Sequence, residues 1–327
     1  MTGALAAMVQ QSLHPATAQA AGELRRVGVL SKDLAYAASA NRIKEWHAFV
    51  AELARLGHVE GRNLMFERRF GETGRLESLD ALAAELVRLK VDVIFAIGGT
   101  ASALAAKRAT TAIPIIFNSS ADPVALGLVA SLSRPGGNLT GNSILGLDLE
   151  PKSMQMLAEA AGKLTSIADV LPLGTRREPW FALFEAATTA GATALGARFQ
   201  YVDIDSITDF EPLVKRLASQ GVDGMRVEAY PPFVPHLKQM AALLIKYRLP
   251  SIGDPHQGFL LDYNLNWLSL ARASARYVDR VLKGAKPADL PVEQPTQFEL
   301  VINLGTAKAL GLRLPKALLL RADEVVQ

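Results

Sequence analysis

The fold of this chain is decided by the segment VDVIFAIGGT, residues 91–100. An alanine- and leucine-rich stretch follows to residue 108, and then come a second apolar run, IPIIF (residues 113–117), and the polar turn NSSADP (residues 118–123). The order strand, polar turn, helix-like stretch therefore occurs twice in succession. Since neither apolar run alternates with polar residues, both predict strands that are buried on both faces, which is typical of a parallel sheet.

The same alternation of strand and helix patterns extends through most of the chain and is interrupted once. It runs from residue 26 to residue 141, begins again at residue 167 and ends near residue 252. Two such runs predict an α/β protein with two Rossmann-like lobes, each built on a parallel sheet. We expect the hinge between the lobes near residues 143–151.

The last part of the chain follows a different pattern. Residues 266–282 predict one long helix, and residues 298–302 alternate between apolar and polar, which predicts a half-buried strand that is compatible with antiparallel pairing. This change of pattern suggests that the chain crosses back to its first lobe. We therefore expect lobe one to comprise residues 25–143 and 265–327, and lobe two residues 144–264.

Composition and missing motifs exclude several classes of protein. The chain has 327 residues, half of them hydrophobic, with a formal net charge of +3 and no cysteine. A basic stripe with interleaved aromatic residues is absent, so no nucleic-acid partner is expected. The five histidines show no metal-ligand spacing, and the G-x-S-x-G, P-loop and G-x-G-x-x-G motifs are missing. The sequence predicts no catalytic residues, cofactor or metal.

Residues 1–24 differ from the rest of the chain. They begin with small and apolar residues, and residues 18–20 form an A-x-A pattern that resembles a secretory signal cleaved after Ala20. A basic region is missing, and Gln10, Gln11 and His14 interrupt the apolar run. The segment is either part of a longer signal or a disordered tail. We favour the signal, and with it a periplasmic location, and expect no membrane span in the mature chain.

The predicted ends of the strands supply candidate ligand-binding residues, because ligands of parallel sheets bind beyond the carboxyl ends of the strands, where helices begin. Gly99 and Thr100 follow one such strand. They are suited to offer backbone N–H groups and a hydroxyl to a carboxylate. They also fit a tight turn in which Thr100 caps the following helix, and the two interpretations are compatible.

Two other strand ends of lobe one carry polar residues. Asn118 and Ser119 follow the second apolar run and are expected near the ligand, whereas Asp122 precedes a proline and fits a helix cap. Ser31 and Asp33 lie in the turn after the first strand. We include both among the candidate ligand-binding residues.

The corresponding turns of lobe two contain Gly174, Thr175, Glu228, Tyr230 and Asp254. Tyr230 is suited to stack on an aromatic ligand, and Glu228 or Asp254 to pair with an ammonium group. Each of these residues is equally compatible with a solvated loop.

Several segments, in their order along the chain and their spacing, resemble those of one family. This family is the bacterial ABC-transporter substrate-binding proteins of the tryptophan- and tyrosine-binding type. The resemblance covers residues 25–326. It rests on the segments GHVEGRN (57–63), LAAELV (82–87), DPV (122–124) with GLV (127–129), RPGGNLTG (134–141), LKGAKPADLP (282–291) and QPTQFELVIN (294–303).

The resemblance implies the type I periplasmic-binding-protein fold and an exported monomer that closes two lobes on a small molecule and delivers it to a membrane permease. It implies no catalytic residues. The chain departs from the family pattern at Ala229-Tyr230, where relatives carry a Thr-Asp pair suited to an ammonium group, at Tyr263-Asn264 and at Ser31-Lys32-Asp33.

The function predicted from these observations is ligand binding for an ABC importer. The expected ligand is an aromatic or branched amino acid, or an aromatic carboxylate. An amino acid is expected if Glu228 or Asp254 faces the cleft, and an aromatic acid if both point to solvent. The alternatives are a ligand-sensing subunit for a membrane receptor and a cytosolic α/β enzyme. A helix-turn-helix before Arg25 is absent, which argues against a DNA-binding repressor.

Overall fold

The computed structural model describes residues 24–32, 40–71, 77–119, 122–144, 149–177 and 181–327. Its amino-terminal part forms a five-stranded sheet in the order β2-β1-β3-β4-β5. The elements of this part are β1 (Arg25–Ser31), α1 (Ala40–Arg55), β2 (Leu64–Phe70), α2 (Glu77–Arg88), β3 (Val93–Ile97), α3 (Thr100–Ala109), β4 (Ile115–Ser119) and β5 (Leu139–Ser143). All of its strand pairs are parallel, as the sequence predicts.

Strand β3 shows why this sheet is parallel and buried. It lies between β1 and β4, with Phe95 opposite Val29 on one side and Ile116 on the other. Ile94 packs into the core on one face of the sheet, and Phe95 packs into the core on the other. Helices therefore cover both faces, and a strand in this position needs apolar residues throughout.

The second sheet has seven strands in the order β12-β11-β10-β9-β8-β6-β7. Its strands pair in parallel except for β10 and β11, which are antiparallel. The elements of this part begin with α4 (Leu149–Ala161), β6 (Ser166–Pro172), α5 (Phe181–Ala194), β7 (Arg198–Ile204), α6 (Phe210–Ser219), β8 (Gly224–Arg226), α7 (Leu237–Lys246), β9 (Ser251–Ile252) and β10 (Leu261–Leu265). They continue with α8 (Trp267–Leu282), β11 (Phe298–Asn303), α9 (Leu304–Leu310), α10 (Lys316–Leu319) and β12 (Glu324–Val326).

Helix α8 lies on the first sheet although it follows β10 of the second. Its residues Ala271, Ala275 and Val278 share one buried cluster with Val29 and Phe95. The long amphipathic helix thus completes the core on one face of lobe one.

The strands that follow α8 belong to the second sheet, which corrects the expectation that residues 298–327 return to lobe one. Strand β11 pairs antiparallel with β10, with Leu300 opposite Tyr263, and β12 pairs with β11. Leu300 and Ile302 are buried with Leu157 and Leu261 in the core of lobe two. Alternating hydrophobicity predicts a strand with one buried face, but it does not specify which sheet edge the strand joins.

The chain connects the two lobes after Ser143, at Asn266 and before Phe298. Asn142 forms a parallel bridge with Glu293, and the Asn266 N–H donates to the Gln297 carbonyl at 3.0 Å. The connecting segments therefore hydrogen-bond to one another. Within the described ranges no helix has the length and apolar character needed to cross a membrane.

Candidate functional site

A cavity of about 230 Å³ lies in lobe one at the carboxyl end of the first sheet, between the starts of α1 and α8. Aromatic and aliphatic side chains form most of its walls, and we call the five aromatic ones the aromatic slot: Trp46, Phe49, Phe70, Phe95 and Trp267. The polar groups that line the same cavity are Glu45, Arg68, Gly98, Gly99 and Asn118. An apolar cavity with a few polar groups is the usual form of a small-molecule site.

Three side chains of the aromatic slot, Trp46, Phe49 and Phe95, contact one another through their rings. Phe49 stacks on Phe95 with ring centroids 4.7 Å apart, and Trp46 stacks on Phe49 at 5.3 Å. The Arg68 guanidinium lies 5.2 Å from the centre of the Trp46 ring. Offset stacking and cation–π contacts of this kind fix the orientation of these three rings, so this part of the slot is formed before a ligand arrives.

Trp267 is positioned by the start of helix α8. The Asn266 side chain caps this helix by accepting the Ser269 N–H at 2.8 Å. Because the cap fixes where the first turn begins, it also fixes the direction in which Trp267 leaves the backbone.

The polar end of the cavity is the Gly98-Gly99 turn. Both glycines have positive φ, 79° and 98°, which residues with a side chain rarely adopt. A Cβ atom at Gly98 would lie 2.8 Å from the hydroxyl of Ser31, so the turn also packs closely on the end of β1. Gly99 is the N-cap of α3, so the first N–H groups of a helix lie beside the cavity.

Thr100 differs from its expected capping role, because it is the first residue of α3 and Gly99 occupies the cap without a side-chain hydrogen bond. The Thr100 hydroxyl lies 3.1 Å from the hydroxyl of Ser119, and both residues are buried. Asn118, by contrast, lines the cavity. The structure therefore brings Gly99 and Asn118 together at the slot and places Thr100 and Ser119 behind them. Asp33 lies outside the described residues.

Lobe two carries a buried ionic cluster around Arg226 at the end of β8. One guanidinium nitrogen, Nη1, lies 2.7 Å from Glu150 and 3.1 Å from Asp169, and Nη2 lies 2.6 Å from Glu228. Burial raises the pKa of Glu150 to about 7 and that of Asp169 to about 8, while Arg226 opposes both shifts. The Glu228 side chain remains 33% exposed, so it extends from the cluster to the surface.

Asp262 and Asp254 extend this acidic region along the neighbouring strands. Burial, together with the charges of Glu228 and Asp254, raises the pKa of Asp262 to about 8, and Arg226 opposes the shift. The Asp254 carboxylate accepts the His256 N–H at 2.9 Å and caps a short 3-10 helix. Glu228, Asp254 and Asp262 thus follow or lie on β8, β9 and β10, and we call them the carboxylate trio.

The remaining lobe-two candidates have structural contacts of their own. Tyr230 packs edge-on against Phe233 with ring centroids 6.1 Å apart, and burial raises its pKa well above the usual range. The Thr175 hydroxyl donates to the Pro172 carbonyl at 2.7 Å, and Gly174 is exposed with a φ of 94°. None of these three residues lines the cavity of lobe one.

Sequence reasoning missed the side chains that form the slot and one member of the trio. Trp46 and Phe49 have the spacing of the apolar face of an amphipathic helix, which by itself predicts packing in a core. The sequence feature that could have identified them is a tryptophan near the start of a helix, because this helix start lies next to the edge of the sheet where ligands are expected to bind. Asp262 had a clearer signal, because a carboxylate between Leu261 and Tyr263 is unusual inside a strand.

A metal is not indicated by these carboxylates. Within the described part of the chain, no group of three or more histidine or acidic side chains has the arrangement needed to hold a metal ion.

The family described as ABC transporter substrate binding protein matches residues 42–161 and 247–326. The chain belongs to this family. Its members are substrate-binding proteins, which agrees with the apolar cavity.

The chain is similar to one curated protein and, in fold, to two solved structures. A tyrosine-binding protein of Clostridioides difficile (strain R20291) is 25% identical over 272 residues, which are 81% of this chain and 76% of the relative. The ABC domain in complex with L-Trp from Streptococcus pneumonia has a TM-score of 0.77 at 21% identity, covering 93% of this chain and 100% of its own. A ligand-free, open substrate-binding protein with adhesive properties from Clostridium difficile has a TM-score of 0.68 at 23% identity, with coverage of 93% and 100%. The architecture is the type I periplasmic-binding-protein fold, as predicted.

Proposed function

We propose that this protein is the extracytoplasmic binding component of an ABC importer and that its ligand is an amino acid with an aromatic side chain. The observation that carries this proposal is the aromatic slot, with the Gly98-Gly99 turn and Asn118 at its polar end. The names of two relatives, one tyrosine-binding and one in complex with L-Trp, support the same ligand class.

The size of the cavity favours a ligand with one ring system. Its volume of about 230 Å³ lies below the roughly 300–1,000 Å³ that is usual for drug-sized ligands. A phenyl, phenol or indole ring stacked among Trp46, Phe49 and Trp267 would fill it. The ligand carboxylate would then lie at the start of α3, where backbone N–H groups and the helix dipole favour an anion.

The carboxylate trio favours a ligand that also carries an ammonium group. Glu228 is partly exposed, and the charges of Glu228 and Asp254 both act on Asp262. A ligand cation placed among these groups would offset the repulsion between them, and the trio would supply the negative charge for which relatives carry an Asp where this chain has Tyr230. An amino acid is therefore preferred to its deaminated analogue.

Ligand capture in this proposal is a hinge closure. The ring binds in the slot of lobe one, and the ammonium group is reached by lobe two when the connections at Ser143, Asn266 and residues 293–297 bend. Because the ligand then contacts both lobes only in the closed state, it shifts the equilibrium toward that state. The closed form would be the one presented to the permease. Export by a signal in residues 1–24 belongs to the same proposal.

The test is calorimetric titration of the purified protein with phenylalanine, tyrosine, tryptophan, leucine and 3-phenylpropionate. We expect binding of at least one aromatic amino acid, with weaker binding of leucine and of 3-phenylpropionate. Absence of binding by all three aromatic amino acids would overturn the proposed ligand class. A clear preference for 3-phenylpropionate would reject the pairing of an ammonium group with the carboxylate trio and would favour an aromatic acid.

A further inference from the structure

We infer that Asn142 and Ser274 are positioning residues that orient Asn118, so that its amide N–H group faces the slot and donates a hydrogen bond to a carboxylate oxygen of the ligand. This inference rests on the proposed function, because it places the ligand in the aromatic slot. Beyond the proposed function, the inference specifies which group of Asn118 contacts the ligand. It also assigns a role to Asn142 and Ser274, two buried residues that do not line the cavity.

The three side chains form a closed hydrogen-bond network. The Asn142 amide Nδ2 donates to Asn118 Oδ1 at 2.9 Å and to the Ser274 hydroxyl at 3.2 Å. The Ser274 hydroxyl in turn lies 3.2 Å from Asn118 Oδ1 and 3.0 Å from the Leu270 carbonyl. Asn142 and Ser274 are buried, with 1% and 0% of their surface exposed, so this network is shielded from water.

The network determines which end of the Asn118 amide is available to a ligand. Both hydrogens of Asn142 Nδ2 point to oxygen atoms within the network, and Asn118 Oδ1 is one of the two acceptors. Rotating the Asn118 amide alone would bring its NH₂ group against that of Asn142, leaving buried donors without acceptors at a cost of about 1–3 kcal/mol each. With the oxygen held inward, the NH₂ group is the part of Asn118 that faces the cavity.

A concerted rotation of both amides would restore the hydrogen bonds, but it would turn the Asn118 oxygen toward the ligand. The surroundings oppose this arrangement. Gly98 and Gly99 line the same cavity, and α3 begins at Thr100, so the partial positive charge of a helix start lies at this end of the slot. A ligand anion drawn to that charge would meet a repelling oxygen in the rotated arrangement and a donor in the observed one.

The test compares ligands with and without a carboxylate on isosteric variants. Asn118→Asp keeps an acceptor for Asn142 but replaces the donor to the ligand with a second, charged oxygen. We expect the affinity for phenylalanine to fall roughly tenfold to a hundredfold, as for the loss of a charged hydrogen bond. Affinity for phenethylamine, which lacks the carboxylate and carries an ammonium group, should not fall. Gln220→Glu, an exposed change of the same charge on lobe two, is the matched control.

Two further variants test the positioning role. Asn142→Leu removes both donors with little change of size, so it should weaken the hold on the Asn118 oxygen and lower the ratio of phenylalanine affinity to phenethylamine affinity. Ser274→Ala should lower this ratio by a smaller factor and should do so even if an aspartate variant fails to fold. A purely structural role would weaken both ligands equally.

The outcomes separate this inference from the proposed function. If wild-type protein binds phenylalanine, tyrosine or tryptophan but the ratio is unchanged in a folded Asn118→Asp or Ser274→Ala protein, the inference is overturned and the proposed function stands. If the wild type binds none of these amino acids, the proposed function is rejected, and the inference with it.

Discussion

The two lobes present opposite chemistry at the binding edges of their sheets. In lobe one, rings of the aromatic slot stack on one another, and few groups there change charge with pH. In lobe two, the corresponding edge carries the Arg226 cluster and the carboxylate trio, in which burial raises the pKa of Glu150, Asp169 and Asp262. In the proposed function, lobe one would supply the shape that accepts a ring, and lobe two would supply the charge that pairs with a polar group of the ligand.

The largest expected effect is on the stability of lobe two. Arg226→Met removes the cation that lies within 3.1 Å of Glu150, Asp169 and Glu228. Breaking a buried ion pair by removing one partner typically costs about 3–5 kcal/mol. We expect a loss of this size in the free energy of unfolding, measured by urea denaturation. An unchanged unfolding midpoint would show that the buried carboxyls are held neutral without Arg226.

The next effect is on ligand affinity through lobe one. Trp267→Ala removes one aromatic wall of the slot, and central aromatic side chains of a binding site typically contribute about 2 kcal/mol or more. We expect the dissociation constant of the best aromatic amino acid to rise roughly thirtyfold or more in calorimetric titration. Leu173→Ala, a substitution of a side chain that is 65% exposed in lobe two, is the control and should leave affinity unchanged. Equal effects of the two changes would remove Trp267 from the site.

The pH dependence of stability should come from lobe two. The native state holds the carboxyl of Asp262 with a pKa of about 8, above the ordinary value of 3.8, so between these values it binds more protons than the unfolded chain. The free energy of unfolding should therefore fall as pH rises from about 5 to 8, by up to about 1.4 kcal/mol per pH unit for each extra proton. Asp262→Asn should reduce this slope in urea titrations at a series of pH values. A slope equal to that of the wild type would contradict the assignment to Asp262.

The smallest expected change is in the free energy of unfolding when Arg68, at the edge of the slot, is replaced. Arg68 lies over the rings of Trp46 and Phe66 at 5.2 and 5.1 Å and is paired with Glu60 on the surface. Exposed cation–π contacts and exposed ion pairs are worth about 0.5–1 kcal/mol. Arg68→Met should therefore lower the free energy of unfolding by about 1 kcal/mol or less, measured by the same denaturation. A loss as large as that of Arg226→Met would remove the contrast between the lobes.

The fold was predictable from the sequence because its main signals are local. Unbroken apolar runs such as Ile113–Phe117 mark strands covered on both faces, and Gly98-Gly99 marks the turn that follows one of them. The sequence could not predict which sheet β11 joins, because the alternation of apolar and polar residues in β11 specifies a buried face and not a neighbouring strand. The slot was missed for a related reason, since Trp46 and Phe49 follow the same helical spacing whether they face a core or a cavity. The Arg226 cluster was not predictable either, because Asp169 and Arg226 are 57 positions apart and no local sequence pattern indicates such a pair.

The crossing of α8 onto the first sheet has a consequence for the order in which the protein is made. The core on that face includes Val29 and Phe95 from the start of the chain and Ala275 and Val278 from near its end. Most of the polypeptide must therefore be synthesised before this face is fully covered. Until α8 leaves the ribosome, part of the apolar surface of β1 to β5 has no partner to pack against. Neither lobe is a contiguous piece of the gene product, so a fragment that stops after β10 contains all five strands of the first sheet and still lacks part of its core. Such a late-closing core delays folding during synthesis, which would suit the export that we propose for this chain.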